Sequence, residues 1–200
     1  MTRIAIAGVV LCLLGTATEA TGKVIHKERS LYQTILVSQE HKLRCLKFSV
    51  RREQRNQTCI DQRDPKRMVF AYTRMMLATL LFEEQPERIL IIGLGGGTLP
   101  LALNELYPNA DIDVVEIDPA VVSVARSHFS FSPTEKVTTH TIDARVFTKR
   151  QMLKADRSGG YNLILLDAFN GEYIPEHLMT QNYFQETASL LAPGGIVAAN

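Results

Sequence analysis

The chain has 200 residues, 46% of them hydrophobic, with 22 Lys and Arg against 21 Asp and Glu, a formal net charge of +1. That composition fits one soluble globular domain with a sizeable core. It offers no large charge excess with which to seek a polyanion or a polycation.

Arg3 precedes an apolar stretch from Ile4 to Leu14, followed by small and polar residues through Ala20. Residues 1–20 therefore resemble a secretory signal peptide or an N-terminal anchor, too short for a comfortable transmembrane helix. If the leader were removed, only Cys45 and Cys59 would remain of the three cysteines. A disulfide and two free thiols are both open readings. Asn56-Gln57-Thr58 fits a glycosylation sequon, which matters only if a eukaryote secretes the chain.

Residues 23–66 alternate short apolar runs with charges, as in Tyr32 to Val37 and Leu43 to Val50, and predict a small antiparallel β unit that acts as a lid or appendage. Residues 67–200 read as a nucleoside-binding catalytic domain. It opens with a nearly continuous apolar stretch, Met68 to Phe82, expected as a buried helix whose methionines are core filler. Next comes Arg88-Ile-Leu-Ile-Ile-Gly-Leu-Gly-Gly-Gly-Thr-Leu99, a buried strand running into a glycine turn. The glycines at Gly93, Gly95 and Gly97 let the backbone turn tightly and lie against a ligand. Thr98 and Pro100 suit a helix start, and Leu99, Ala102, Leu103 and Leu106 repeat at helical spacing.

The next strand, Asp113-Val-Val-Glu-Ile-Asp118, brings Glu116 roughly 20 residues past the glycines, where an acid at a strand tip can accept from both ribose hydroxyls. Asp118, before Pro119, reads as a helix cap. Val137 to Ile142 ends at Asp143, Tyr161 to Leu166 ends at Asp167, and Gly195 to Ala199 leads to Asn200. Strands alternating with helical segments give an α/β fold with a doubly wound, mostly parallel sheet. Gly93, Glu116, Asp143 and Asp167 all fall at the carboxyl ends of strands, where such sheets bind ligands. The last strand should be central, so the expectation is that C-terminal strands are missing and one sheet edge is unprotected.

These residues carry a family resemblance. Asp167 to Gln181 is similar, without gaps, to the DSSDPxGPAExLFTQ stretch of the spermidine synthases, the polyamine aminopropyltransferases. Tyr32-Gln33 resembles the Tyr-Gln of the family's N-terminal hairpin, and Tyr72-Thr-Arg-Met-Met76 its YxEMM helix. The family shares the Rossmann-like fold of class I S-adenosylmethionine-dependent methyltransferases. By this resemblance the donor is S-adenosylmethionine or its decarboxylated form. Gln33 and Asp167 would contact its aminoalkyl part, Glu116 its ribose and Asp143 its adenine amine, with Asp167 and Tyr72 acting near the reacting centre. Family members commonly dimerise, so a homodimer is a further expectation.

The departures concentrate where the acceptor would bind. The acid of the family's GGGDGG falls at Gly96, the amine-activating second Asp of DSSDP at Asn170, and the Glu of YxEMM at Arg74. Arg74 would repel a diamine if it faced the pocket. The stretch from Lys42 to Arg74 is also rich in Lys and Arg, so a basic lid favouring an anionic or neutral small-molecule acceptor stands beside the reading of a solvated hairpin face. Methyl transfer and a non-catalytic nucleoside-binding role remain alternatives. The export-like leader conflicts with a donor supplied in the cytoplasm. Metal chemistry has little support, since His26, His41, His128, His140 and His177 lack ligand spacing and no Cys-x-x-Cys occurs. No Gly-x-Ser-x-Gly elbow suggests a hydrolase, and no aromatic stacking module suggests nucleic-acid binding.

Overall fold

The computed structural model describes residues 22–50, 53–154, 159–168 and 175–200. The leader-like segment and Asn170 lie outside the described residues, as does Cys12.

Two sheets organise the described residues. The first is antiparallel, in the order β1 (Lys23–Arg29), β2 (Thr34–Glu40), β3 (Leu43–Val50), β4 (Glu53–Asp61). Its inner face sets Ile35, Val37 and Leu46 against Ala120, Val121, Val124 and Phe129, so the unit packs onto a helix of the second layer. Ser38, Cys45 and Cys59 are paired across β2, β3 and β4, one residue out of phase with that face, and Cys45 and Cys59 form a disulfide. The bond resolves the open reading of the cysteines and clamps the ribbon from the side opposite the core contact.

The second sheet is parallel, in the order β7 (Val137–Thr141), β6 (Asp111–Glu116), β5 (Arg88–Ile92), β8 (Tyr161–Leu166), β9 (Leu191–Ala199). Its central strand is buried on both faces, which is why it reads as an unbroken aliphatic run. Ile89 and Ile91 pack with Leu99, Leu103, Val122 and Phe131 from α2 (Thr98–Leu106), α3 (Pro119–His128) and the loop after α3. Leu90 and Ile92 pack on the other side with Ala144, Phe147 and Tyr183 from α4 (Ala144–Met152) and α5 (Gln181–Ala188). The predicted doubly wound α/β architecture is therefore the observed one. β6 and β8 flank β5 on opposite sides, so the chain reverses direction across the sheet there, the position at which such folds open a crevice for a ligand.

Three expectations change. The stretch from Met68 to Phe82 is not one buried helix but α1 (Ala71–Leu77) followed by a 3₁₀ turn over Ala78–Leu81. Met76 and Thr73 face inward, whereas Met75, Leu81 and Phe82 are more than 70% exposed, so an apolar run alone overstated burial. In α2, Leu99 and Leu103 are buried as expected, but Leu106 on the last turn is exposed. β9 starts at Leu191, four residues before the predicted Gly195, because Leu191 already pairs with Tyr161. Asp118 caps α3 as predicted, its Oδ1 accepting from the Ala120 N–H at 3.0 Å.

Candidate functional site

Where β5, β6 and β8 end, a cavity of about 460 Å³ opens beneath the antiparallel sheet. The parallel sheet supplies its floor and the first sheet its roof. Gly93 and Gly95 line it. Gly93 has φ +101°, and a Cβ there would stand 2.3 Å from the Asp167 carbonyl oxygen, so only glycine lets β5 and β8 end side by side at the cavity floor. Gly97 does something else. It is the left-handed residue that starts α2, packed against Phe131 and outside the cavity wall. Gly96 likewise meets Thr58 and Phe129, so a carboxylate at this position would have no room without moving both.

Glu116 ends β6 with one oxygen accepting from the Leu94 N–H at 3.1 Å and the other from the Asp118 N–H at 3.0 Å. Its side chain thus holds the glycine turn while lining the cavity. Burial is the largest influence on it and raises its pKa, with the two backbone donors pulling the other way. Asp143 follows β7 and caps α4, its Oδ1 accepting from the Val146 N–H at 2.9 Å. Asp167 follows β8. Its Oδ2 accepts from the Tyr72 hydroxyl at 3.4 Å and its Oδ1 from the Asn200 amide at 3.1 Å. Desolvation outweighs both donors and pushes the Asp167 carboxyl up to about 7. Burial, and then the Asp167 charge, raise the Tyr72 phenol in turn, so Tyr72 stays a donor.

Gln33 and Tyr32 reach the cavity from the turn before β2, and Phe48 from β3. The structure thus gathers Gln33, Tyr72, Gly93, Gly95, Glu116, Asp143 and Asp167 in one wall and leaves Gly97 out. Sequence reasoning missed Gln57, Thr58, Thr98 and His177, all of which line the same space. Gln57 is the extra residue of a β-bulge, since Leu46 pairs with Thr58 and Lys47 with Asn56. The bulge breaks the strict alternation and presents neighbours Gln57 and Thr58 to one cavity. The glycosylation-like triplet therefore contains two cavity residues. The Thr58 hydroxyl lies 3.3 Å from that of Thr98, and the Gln57 carbonyl accepts from Tyr72 at 3.5 Å.

The described basic residues of the stretch from Lys42 to Arg74 lie outside this space. Lys42 pairs with Asp61 at 3.0 Å, Arg67 with the same carboxylate at 3.7 Å, and Lys66 with Glu105. Arg44 donates to the His128 carbonyl at 2.9 Å, and Arg74 donates to the Met68 carbonyl at 3.0 Å on the exposed side of α1. Among the described residues, the cavity is lined by Glu116, Asp143 and Asp167 and by no Lys or Arg. None of the described Lys and Arg of the stretch lines the cavity, which leaves the solvated-face reading for those residues and removes Arg74 as an obstacle to a cationic ligand. Arg44 lies in phase with Leu46 on the inner face, where it bonds the last turn of α3 and not the cavity.

The spermine/spermidine synthase domain family matches residues 69–200. The chain is 50% identical over 194 residues to a polyamine aminopropyltransferase of Vibrio vulnificus, covering 96% of this chain and 64% of that protein, so it spans just under two thirds of its relative's length. A probable spermidine synthase from Corynebacterium glutamicum superposes with a TM-score of 0.71 at 21% identity, over 88% of this chain and 63% of that one. Human methyltransferase-like protein 13 in complex with SAH superposes with a TM-score of 0.58 at 28% identity, over 64% and 63% of the two chains.

Proposed function

The chain belongs to the spermine/spermidine synthase domain family, and from that premise we propose that its cavity is the donor site of an aminopropyl transferase fed by decarboxylated S-adenosylmethionine. The observation that carries the choice is the charge of the wall: three carboxylates and no Lys or Arg among the described lining residues. A decarboxylated donor bears a sulfonium and an ammonium with no compensating carboxylate, and this wall complements it. The carboxylated donor would bring an anion to carboxylates without a cationic partner, which costs affinity.

In the proposed reaction, the lone pair of an acceptor amine attacks the propyl carbon attached to the sulfonium. The carbon–sulfur bond breaks, and its electron pair stays on sulfur to leave a neutral thioether nucleoside. A proton then leaves the new ammonium. The sulfonium is already an activated leaving group, so the protein's main task is to hold the two reactants in line. Glu116 takes the ribose hydroxyls, and Asp167 with Gln33 faces the aminoalkyl chain. Because its carboxyl titrates at about 7, Asp167 can hold a cation when ionised and take up a proton near neutrality.

Incubating the full chain with decarboxylated S-adenosylmethionine and a linear diamine, with product detection by mass spectrometry, tests this reading. Equal amounts of aminopropylated amine and 5′-methylthioadenosine are expected. A second reading, methyl transfer, draws on the likeness to the human methyltransferase, and would instead give S-adenosylhomocysteine from the carboxylated donor.

A further inference from the structure

Resting on the donor-site reading, we infer that His177 sets the base specificity of the cavity by holding the Asp143 carboxylate in the position from which it can accept a 6-amino group. The His177 Nε2 lies 2.9 Å from Asp143 Oδ2, while Oδ1 accepts from the Val146 N–H at 2.9 Å. Each carboxylate oxygen has two lone pairs, so both donors can be satisfied with one lone pair of Oδ2 left over. Asp143 and His177 line the cavity together with Ile117, Ile142, Ala144 and Leu178, an apolar slot suited to a flat heteroaromatic ring.

Helix α4 frames the imidazole from two sides. His177 sits in a 3₁₀ turn over Glu176–Leu178, and its carbonyl accepts from Arg145 Nη1 of α4 at 3.4 Å. Arg145 is fixed in turn by Glu186 of α5, with nitrogen–oxygen distances of 3.1 and 3.3 Å. One residue of α4 thus holds the backbone of His177, and the cap of the same helix receives its ring. The side chains of His177 and Asp143 are 47% and 28% exposed, so as an ion pair the contact contributes little to folding. Its consequence is orientation. Without His177, Oδ2 is free to swing toward solvent while Oδ1 keeps its cap.

A fixed carboxylate discriminates strongly. A 6-aminopurine donates to Oδ2, whereas a 6-oxopurine sets acceptor against acceptor in a partly desolvated slot. A carboxylate released from His177 can turn away from either base, which lowers affinity for the amino form and relieves the clash with the oxo form.

Calorimetric titration of the full chain with 5′-methylthioadenosine and 5′-methylthioinosine tests the assignment. His177→Ala is expected to reduce the preference for the amino nucleoside by about three- to tenfold. His177→Gln, whose amide nitrogen can still donate to Oδ2, is expected to restore most of it. In an Asp143→Asn background, His177→Ala should change the preference no further. Equal weakening of both nucleosides by His177→Ala, or an unchanged preference, would overturn the role of His177. If the folded wild-type chain bound neither nucleoside, the donor-site reading itself would fall, and the inference with it.

Discussion

The two sheets use charged residues in opposite ways. On the parallel sheet, Glu116, Asp143 and Asp167 stand at or just past strand ends, where backbone donors and burial hold them in the cavity wall. On the antiparallel sheet and the segment after it, Lys42, Arg44, Lys66 and Arg67 pair with acids or carbonyls outside the cavity. A charge at the carboxyl end of a parallel strand stands at the mouth of the crevice, whereas a charge on a hairpin has an outer face available. Position in the topology, rather than local charge density, decides which acids and bases meet a ligand.

The sharpest way to break this contrast is Asp167→Asn. Loss of the carboxylate should lower aminopropyl transfer by about 10² to 10⁴-fold in a steady-state assay. The same substitution should stabilise the free protein. Since the folded-state pKa of Asp167 is raised to about 7, the native state binds the proton more tightly than the unfolded chain. The resulting stability is fully present below the ordinary carboxylate pKa near 3.8 and is lost as pH rises through about 7. Asp167→Asn should therefore be more stable than wild type at pH 8, by about 1 to 3 kcal/mol in urea unfolding, and match it near pH 3.5. A wild-type activity retained by this variant would detach Asp167 from the reacting centre.

Gly93→Ala should cost about 2 to 4 kcal/mol in urea unfolding, since the new methyl meets backbone at 2.3 Å with no side chain to give way. Gly194→Ala, at φ +82° but in open space, isolates the conformational part and should cost about 1 kcal/mol. Equal effects would show that the Asp167 carbonyl does not pin the glycine turn.

Cys45→Ser with Cys59→Ser should lower stability by about 2 to 3 kcal/mol, given a closed loop whose ends are 14 residues apart. Because the bond lies on the face opposite Thr58, nucleoside affinity measured by calorimetry should change by less than about twofold. The smallest effect is expected at Arg74→Ala, with stability within about 0.5 kcal/mol of wild type and an unchanged acceptor KM. A lower KM for a diamine would return Arg74 to the cavity and weaken the contrast between the sheets.

Much of the parallel layer was legible because its signals are local. An aliphatic run between Arg88 and Gly93, and acids at fixed distances beyond it, follow directly from burial on both faces and ligand binding at strand ends. The antiparallel layer was legible as strands and as a lid or appendage, but not in which of its β4 residues meet the cavity. The bulge at Gln57 is set by pairing with β3, and no spacing in β4 alone reveals it. His177 was equally hidden, since a scattered histidine gains meaning only when the turn after β8 folds back onto the cap of α4. The apolar stretch from Met68 to Phe82 misled in the other direction, because hydrophobic composition without helical phase does not tell which face is buried.

The central claim is that the cavity wall selects a cationic donor. Isothermal calorimetry of the full chain with decarboxylated and carboxylated S-adenosylmethionine measures it directly. Tighter binding of the decarboxylated form by at least about tenfold is expected, because the described wall offers three carboxylates and no Lys or Arg to pair with a donor carboxylate. Equal affinity, or preference for the carboxylated form, would contradict it and favour methyl transfer.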